Sequence, residues 1–586
     1  MGVRFLQTFM ERQVQDGVYY VEILTEIRNS AEQHKRKPLI LIDLIALREL
    51  FSGGKCSVLC GSQVMLCEQR AAQFFSQLVE SGAELVFFWD GNVQENKYDT
   101  WMKRHNDKYT RMITIIDAIN EGQALQRIAK ARSNLIQSNT CIQFKLIAER
   151  YGRVIVSFYA DCDQELAAYA SEHETLAIIS SDTDFLIFEG CWQLWSVDIN
   201  LETLHTRAFS KEALRRKLQL SVPGMALWAT LSGNDLYNYE QLKPFHHTLG
   251  SEPGRFLKLA QYVRTLDSDF DDDDNIQQVL RRVYKGRRIP DEAVAWFKQS
   301  LDFYRSDLQT FHRSKPPLDS IETFLLQESQ HFVLGVLNGA PQNCTLYFFD
   351  YRSEDLGNYF DIVVPLIAKV AGIILYHRQH ERDHITLVAK KGHEVAYAHH
   401  NIAAVFPSDI NVPHFMDLLS RDDAKMAALL EYKLQLLQWV CSDVVEDNAL
   451  AAVPPALKVT VLTLVRLVEC RIVHVFEADL LLLIAHELQT GQFVPSREQC
   501  PTQLNPRAFR IGFLFQKVYQ EFACAAQTVG LSSDYRPSAP YDGHRFHNNY
   551  GKFQDGQTDE LMKPTALWRL YATTEKHDKA INDQIP

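Results

Sequence analysis

Acidic side chains recur in this chain directly after short apolar runs. Seven of them follow five such runs: Asp43, Asp90, Asp163, Glu165, Asp182, Asp184 and Asp235. Carboxylates gathered in one crevice repel one another and raise each other's pKa, and divalent cations relieve that repulsion. Mg²⁺ and Mn²⁺ prefer oxygen ligands, and two such ions about 4 Å apart activate a water and stabilise the leaving oxygen of a phosphodiester. The pattern therefore predicts a two-metal site for phosphodiester hydrolysis.

Each single aspartate also has a purely structural interpretation. An aspartate at a strand end commonly caps the next helix, or closes a turn as Asp90-Gly91 would. Five predicted strand ends of the same kind, at Asp43, Asp90, Asp163, Asp182 and Asp235, favour a shared site over five independent caps. For any one residue, capping and metal binding both stay open.

Hydrophobic periodicity predicts the elements that position these carboxylates. Residues 38–42, 84–89, 154–158 and 176–179 are apolar runs typical of buried strands, and helical patterns lie between them. This alternation predicts an α/β fold with a parallel sheet. Because parallel strands end on the same edge, where ligands bind, we expect the carboxylates to converge.

A basic helix is predicted directly after Asp90. Lys97, Arg104, Lys108 and Arg111 follow spacings of 7, 4 and 3 and so share one helical face. Lys103 and several aromatic residues lie on the same helix, so we assign Lys103, Lys108 and Arg111 to nucleic-acid binding. The alternative is an ordinary solvated face of charged residues.

These motifs resemble the flap-endonuclease superfamily, structure-specific nucleases with a PIN-like α/β fold. The resemblance extends to about residue 240 and rests on Asp43, Phe87-Phe88-Trp89-Asp90-Gly91, Asp163-Gln164-Glu165, Ser181-Asp182-Thr183-Asp184 and Gly233-Asn234-Asp235. It implies that the seven carboxylates bind two metal ions and that Lys97 and Arg104 contact the reacting phosphate, as catalytic residues.

The chain departs from that superfamily in two places. The sequence after Asp235 lacks the glycine-rich helix-turn-helix by which flap endonucleases clasp duplex DNA, and Phe5 stands where glycine is usual. Duplex gripping is therefore not expected of this chain.

A second resemblance covers almost the whole chain. Segments such as LVFFWDGNVQENKYDTWMKR, DTDFLIFEGC and YDGHRFH are similar to the family of constitutive coactivators of peroxisome proliferator-activated receptor gamma. It implies a regulatory protein of the nucleus or cytoplasm that kept a nuclease-like domain, with RNA-binding scaffolds among its relatives. No nuclease activity is generally credited to that family.

The rest of the chain is predicted to form further units. We expect a PIN-like domain at 1–266, an acidic linker with helices at 267–320, a small α/β unit at 321–410, an all-α module at 411–530 and a flexible tail at 531–586. In the small unit, residues 332–337, 345–351, 372–376 and 385–389 are interpreted as strands. The helical module is expected to bind protein partners.

Composition limits the function classes. A net charge of -12 argues against coating nucleic acid by bulk electrostatics, so any RNA or single-stranded nucleic acid must bind a local basic surface. The 11 scattered cysteines are typical of a reduced compartment, and no apolar stretch is long enough to span a membrane. Cys56, Cys60 and Cys67 have metal-like spacing, but without a fourth ligand we interpret them as apolar fillers or loop residues.

Two functions follow from the sequence. The first is a regulatory protein whose nuclease-like domain is a platform for RNA or protein, favoured by the whole-chain resemblance and the missing duplex clasp. The alternative is an active Mg²⁺-dependent nuclease for single-stranded or branched nucleic acid, favoured by the intact acidic set.

Overall fold

The chain divides into two compact units, which are described separately. This computed structural model describes residues 2–554 except 95–96, 134–135, 137–140, 251–253, 267–269, 271, 306–318, 329, 347, 353–355, 392–395, 421, 442–452 and 536–537, and it describes only the backbone of 141–143. The first unit comprises Met1–Leu50, Ala71–Trp101 and Phe144–Asp319. The second comprises Phe51–Arg70, Met102–Gln143 and Ser320–Pro586.

A seven-stranded sheet forms the centre of the first unit. Its strands are β1 (Val18–Glu22), β2 (Leu39–Asp43), β3 (Glu84–Asp90), β4 (Arg153–Ser157), β5 (Thr175–Ile179), β6 (Gln193–Trp195) and β7 (His205–Phe209). The order is β1-β7-β6-β5-β2-β3-β4, and all neighbours are parallel except those of β7. Because β2 and β3 are buried on both faces, they are continuous apolar runs, as parallel strands covered by helices require. The predicted α/β class is confirmed.

Helices surround this sheet. They are Leu6–Gln13, Ile23–His34, Cys162–Glu172, Lys211–Leu218, Val222–Ser232, Tyr239–Leu249, Arg255–Val263, Asp273–Val283 and Ala293–Arg305. Three more helices run across a boundary of the first unit: Val64–Glu80, Tyr98–Asn120 and Cys141–Ala148. Short 3₁₀ helices occupy Ala46–Glu49 and Thr183–Leu186. Aromatic rings fill the core, as where Trp228 packs 5.1 Å from Phe256.

The second unit is mainly helical. Its helices are Lys55–Leu59, Leu125–Ala131, Ser320–Gln327, His331–Asn338, Tyr359–Ile374, Phe415–Leu418, Asp423–Val440, Pro455–Glu469, Val475–Thr490, Pro506–Thr528 and Gly543–Gln554, with 3₁₀ turns at Tyr376–Arg378, Pro495–Arg497 and Ser533–Tyr535. This unit also has a small sheet of three strands, in the order β10 (Ala398–Ala403), β9 (His384–Ala389) and β8 (Gln342–Asn343).

The four runs predicted as strands at 38–42, 84–89, 154–158 and 176–179 are found as β2 to β5, whereas strand prediction mostly fails in the second unit. Residues 385–389 lie in β9, but 332–337 lie in the helix His331–Asn338, and residues 372–374 end the helix Tyr359–Ile374. The described residues of 345–351 form no strand. These stretches are short apolar runs buried on all sides, and such runs do not distinguish a buried helix from a buried strand.

The unit boundaries also differ from those predicted. The first unit continues past residue 266, because Asp273–Val283 and Ala293–Arg305 insert buried residues such as Ile276 and Phe297 into its core. Part of the predicted tail forms the helix Gly543–Gln554, with Phe546 buried, and 555–586 lie outside the described residues. Aromatic side chains there supply the apolar area that the few aliphatic residues lack. Across the described ranges, no helix combines the length and apolar character that a membrane crossing requires.

Candidate functional site

The strand order of the first unit places carboxylates side by side. Strands β5, β2, β3 and β4 are consecutive and parallel, so their carboxyl ends share one edge. Asp43 ends β2 and Asp90 ends β3. Asp163 lies in the first turn of the helix after β4, and Asp182 and Asp184 follow β5. We call these five residues together with Asp161 the acidic cluster.

Ser180 links two of the strand ends. Its hydroxyl donates a hydrogen bond to Asp43 Oδ2 at 2.8 Å and accepts one from the Asp182 backbone N–H at 3.0 Å. Asp43 Oδ1 accepts a further bond from the Ala46 N–H at 3.3 Å. Burial raises the pKa of Asp43, and the nearby Asp182 carboxylate raises it further.

Two members of the cluster are also helix caps. Asp161 Oδ1 accepts the backbone N–H groups of Asp163 and Gln164 at 3.2 and 3.4 Å. Asp182 Oδ1 accepts that of Asp184 at 2.9 Å. Capping and membership in the cluster therefore coexist in the same residues, because a cap uses only one of the two carboxylate oxygens.

Crowding and burial favour the protonated forms of the cluster. The Asp90 side chain is exposed. Its pKa is nevertheless raised to about 6, first by the loss of hydration around the carboxylate and then by the Asp43 and Asp161 carboxylates. Burial and Asp182 raise the pKa of Asp184 to about 8, and the same two causes raise that of Asp163 well above its usual range. Such a set gains most from a nearby positive charge.

Lys97 supplies one such charge. Its ammonium group forms an ion pair with the Asp161 carboxylate and lies 4.8 Å from the centre of the Phe303 ring. Burial lowers the pKa of Lys97, but Asp161 and Asp163 outweigh burial and hold that pKa above its ordinary value. Lys97 is therefore a fixed cation beside the carboxylates.

Tyr304 contacts the opposite side of the cluster. Its hydroxyl donates a 2.6 Å hydrogen bond to Asp184 Oδ1, and Asn234 Nδ2 donates to the same hydroxyl at 3.3 Å. Asn234 also donates to Ser300 Oγ at 2.7 Å. No sequence signal pointed to Tyr304, because it lies 120 residues from Asp184 in a helix whose pattern is typical of ordinary packing.

Asp235 and Glu165 lie at the margins. Asp235 follows the helix Val222–Ser232, so the prediction that it ends a strand is wrong. Between the end of this helix and Asp235 the backbone turns at Gly233, where φ is 91° and a Cβ would lie 2.7 Å from Tyr239 Cα. Asp235 still raises the pKa of Asp184, and Glu165 is half-buried in the helix that carries Asp163.

The remaining basic residues belong to the second unit. Lys103, Arg104 and Arg111 are exposed on the helix Tyr98–Asn120, and Lys108 is half-buried there. Within the first unit, Lys97 is the member of the predicted basic set that contacts the carboxylates.

The N-terminal turn approaches the cluster closely. A Cβ on Gly2 would lie 2.5 Å from Asp182 Oδ1, so a side chain larger than hydrogen does not fit. Phe5 adopts the left-handed conformation with φ at 68°, which glycine adopts without strain. Its ring packs edge-on against Tyr239 at 6.4 Å. The turn is thus formed despite the absence of glycine at position 5.

The chemistry of the cluster fits a hard divalent cation. Its carboxylate oxygens are the donors that Mg²⁺ and Mn²⁺ prefer, and their mutual repulsion favours a cation among them. Lys97 and Tyr304 already compensate part of that repulsion.

The chain is similar in sequence to several curated proteins. No protein-family model matches the chain. Over 322 residues the chain is 27% identical to the constitutive coactivator of peroxisome proliferator-activated receptor gamma from Homo sapiens, covering 52% of this chain and 33% of that protein. The Mus musculus protein of the same name is 29% identical over 254 residues, covering 42% and 31%. The resemblance to this coactivator family is confirmed. The chain spans about a third of the length of these relatives.

Several solved nuclease structures are also similar. The catalytic core of Rad2 in complex with DNA is 14% identical, with a TM-score of 0.29, covering 56% of this chain and 84% of that one. The Holliday junction-resolving enzyme GEN1 with product DNA, Mg²⁺ and Mn²⁺ is 11% identical, with a TM-score of 0.30, covering 64% and 81%. At such scores the fold assignment rests on the sheet order and not on these superpositions.

Proposed function

We propose that this chain is a regulatory protein of the coactivator type whose nuclease-like domain, predicted at 1–266, binds single-stranded RNA or a protein without cutting phosphodiester bonds. The homologues' name supports a regulatory role in the nucleus or cytoplasm. The observation that carries the non-cutting part is the hydrogen bond from Tyr304 to Asp184.

The Tyr304 contact competes with a metal ion. The 2.6 Å bond is short, and it occupies Asp184 Oδ1, one of the two oxygens through which this residue would hold a cation. Lys97 pairs with the Asp161 carboxylate at the same time. Groups of the protein itself therefore meet part of the charge requirement of the cluster.

Binding surfaces are present apart from the cluster. Lys103, Arg104 and Arg111 form an exposed basic set, with Lys108 half-buried, that would contact a phosphate backbone. In the helical region, Leu430 and Tyr432 are exposed on Asp423–Val440 and would contact a protein partner.

The second candidate is an active nuclease, and the complete acidic set favours it. Asp43, Asp90, Asp163, Glu165, Asp182, Asp184 and Asp235 would hold two Mg²⁺ or Mn²⁺ ions, with Lys97 on the phosphate. Bound metal would supply activation of water and stabilisation of the leaving oxygen. For this function the metal would have to bind Asp184 through Oδ2 or displace the Tyr304 hydroxyl from Oδ1.

A cleavage and binding assay separates the two. Labelled single-stranded RNA, single-stranded DNA and a flap duplex are incubated with Mg²⁺ or Mn²⁺ and with wild type, Asp182→Asn/Asp184→Asn, or Tyr304→Phe. We expect no cleavage by any protein and equal RNA binding by wild type and the double variant. A Lys103→Ala/Arg111→Ala variant should bind more weakly and with a smaller salt dependence.

The other outcomes are equally informative. Cleavage by wild type that the double variant abolishes would establish the nuclease. Cleavage by Tyr304→Phe alone would show complete catalytic machinery that Tyr304 blocks. Absence of RNA binding by wild type would restrict the platform to protein partners.

A further inference from the structure

Three distant segments of the second unit meet around a group of cysteine and histidine side chains. In the first segment, Cys56 lies on the short helix Lys55–Leu59 and Cys60 directly follows that helix. The second segment contains Cys500 and the third contains His544. The first segment lies more than 400 positions before the other two, and Cys500 and His544 are 44 positions apart, so no local pattern links the three segments.

Main-chain contacts fix these segments to one another. The Gly543 N–H donates to the Ser62 carbonyl at 2.9 Å, and the Tyr541 hydroxyl donates to the Cys60 carbonyl at 3.1 Å. Gln63 Nε2 donates to the Pro495 carbonyl at 2.7 Å. A Cβ on Gly543 would lie 2.1 Å from the Cys60 carbonyl oxygen, so only glycine permits this approach. The arrangement is therefore a built part of the fold.

The possible ligand atoms lie at metal-site separations. The sulfurs of Cys60 and Cys500 and one ring nitrogen of His544 all lie within 4.8 Å of one another. Tetrahedral zinc, with Zn–S of about 2.3 Å and Zn–N of about 2.0 Å, places its ligand atoms about 3.5–3.8 Å apart. A small inward movement of the side chains reaches that geometry.

The tautomer of His544 is set for coordination. Its Nδ1 lies 3.3 Å from the Glu498 carbonyl oxygen, and since a carbonyl only accepts, Nδ1 carries the proton. In the neutral imidazole Nε2 then carries the lone pair. It is buried and makes no hydrogen bond of ordinary geometry to the described residues. A ligating histidine typically donates its other ring N–H to a carbonyl in this way.

Cys56 is the candidate for a fourth ligand, although its sulfur lies outside the group of three ligand atoms that are within 4.8 Å of one another. Its side chain is within hydrogen-bonding reach of the Cys500 thiol, which also reaches Cys60 and His544. Cys56 and Cys60 are four residues apart, so they project from one side of the same turn. Cys60 and His544 are buried, and Cys500 lies at the exposed rim.

We propose that Cys56, Cys60, Cys500 and His544 form a structural zinc site that ties the three segments of the second unit together. Three thiolates and one imidazole suit zinc, whereas the acidic cluster offers only oxygen donors. Four protein ligands leave no open coordination position, so the role is structural and not catalytic. Binding of zinc then contributes directly to the stability of this unit.

The test measures metal in the purified full chain. Wild type expressed with zinc in the medium should hold about one zinc ion per chain by elemental mass spectrometry. Cys60→Ser, Cys500→Ser and Cys56→Ser should lose it. The matched control is Cys191→Ser, which removes an exposed cysteine of the first unit and should keep the metal. A chelator should lower the Tm of wild type and of the control only.

A second measurement uses wild type only, so it tests the proposal even if the cysteine variants fail to fold. Wild type reconstituted with Co²⁺ should show the charge-transfer absorption of thiolate-bound cobalt, and zinc should displace it. Wild type without stoichiometric zinc, or with a Cys60–Cys500 disulfide found by peptide mapping, would overturn the proposal. Full zinc content in Cys500→Ser would do the same, and full content in Cys56→Ser would remove Cys56 from the ligand set.

Discussion

The acidic cluster of the first unit and the cysteine–histidine cluster of the second differ in how their members are assembled. The carboxylates come from neighbouring strand ends, and several also cap the helices that follow. The thiols and the imidazole come from three segments joined only by tertiary contacts. One cluster is thus a by-product of sheet topology, and the other depends on the packing of distant parts.

The two clusters also differ in how their charge is compensated. Lys97 and Tyr304 contact the acidic cluster directly and compensate part of its charge. Burial opposes the charge of Cys60 in the second cluster, where zinc, if it binds as proposed, would compensate the thiolates. Protein groups therefore act in the first cluster as the proposed metal would act in the second.

The largest expected effect comes from removing an anchor of the second unit. Glu477 is fully buried and accepts bonds from Arg507 at 2.8 and 3.0 Å, and from the Tyr550 hydroxyl at 2.5 Å. Arg507→Met leaves this buried carboxylate without its cationic partner and should lower the free energy of unfolding by about 3–5 kcal/mol, measured by urea denaturation. Lys425→Met removes an exposed ion pair and should leave the midpoint unchanged. Equal midpoints for the two variants would contradict the anchoring role.

A smaller effect should appear as a pH dependence of the first unit. The pKa of Asp184 is about 8 in the fold and 3.8 ordinarily, so between these values the folded state holds a proton that the unfolded state releases. The free energy of unfolding should therefore fall as pH rises from about 4 to about 8, by up to about 1.4 kcal/mol per pH unit for one proton. Asp184→Asn should flatten that slope, and the exposed Glu202→Gln should not.

Mg²⁺ extends the same experiment. A cation that binds the ionised carboxylates stabilises the folded state mainly at high pH, so Mg²⁺ should also reduce the slope in wild type. An unchanged slope in Asp184→Asn would show that this carboxyl does not titrate in the neutral range.

The smallest effect concerns the turn beside the acidic cluster. Phe5→Gly and Phe5→Ala both remove the ring contact with Tyr239, but only alanine keeps the left-handed strain. The glycine variant should be more stable than the alanine variant by about 1 kcal/mol in urea denaturation. A more stable alanine variant would show that the turn relaxes out of the left-handed region.

Prediction from sequence was strongest where a residue's role follows from its place on a strand. Residues 84–89 and 176–179 lie in β3 and β5, and the carboxylates that follow them lie at one edge of the sheet, because parallel strands end together. The strand predicted at 332–337 was wrong, because burial on every side removes the periodicity that distinguishes a helix from a strand. The prediction that Asp235 ends a strand was wrong, because the end of a helix has the same sequence pattern as the end of a strand when either closes an apolar run.

The sequence by itself determined the parallel α/β unit, the acidic set at its edge and the helices between 423 and 528, since each depends on local pattern and chain order. Only the tertiary structure brought Tyr304 to Asp184, and Cys500 and His544 to Cys60. Such partners lie far apart in the chain, and their meeting depends on how helices pack, which no local spacing records.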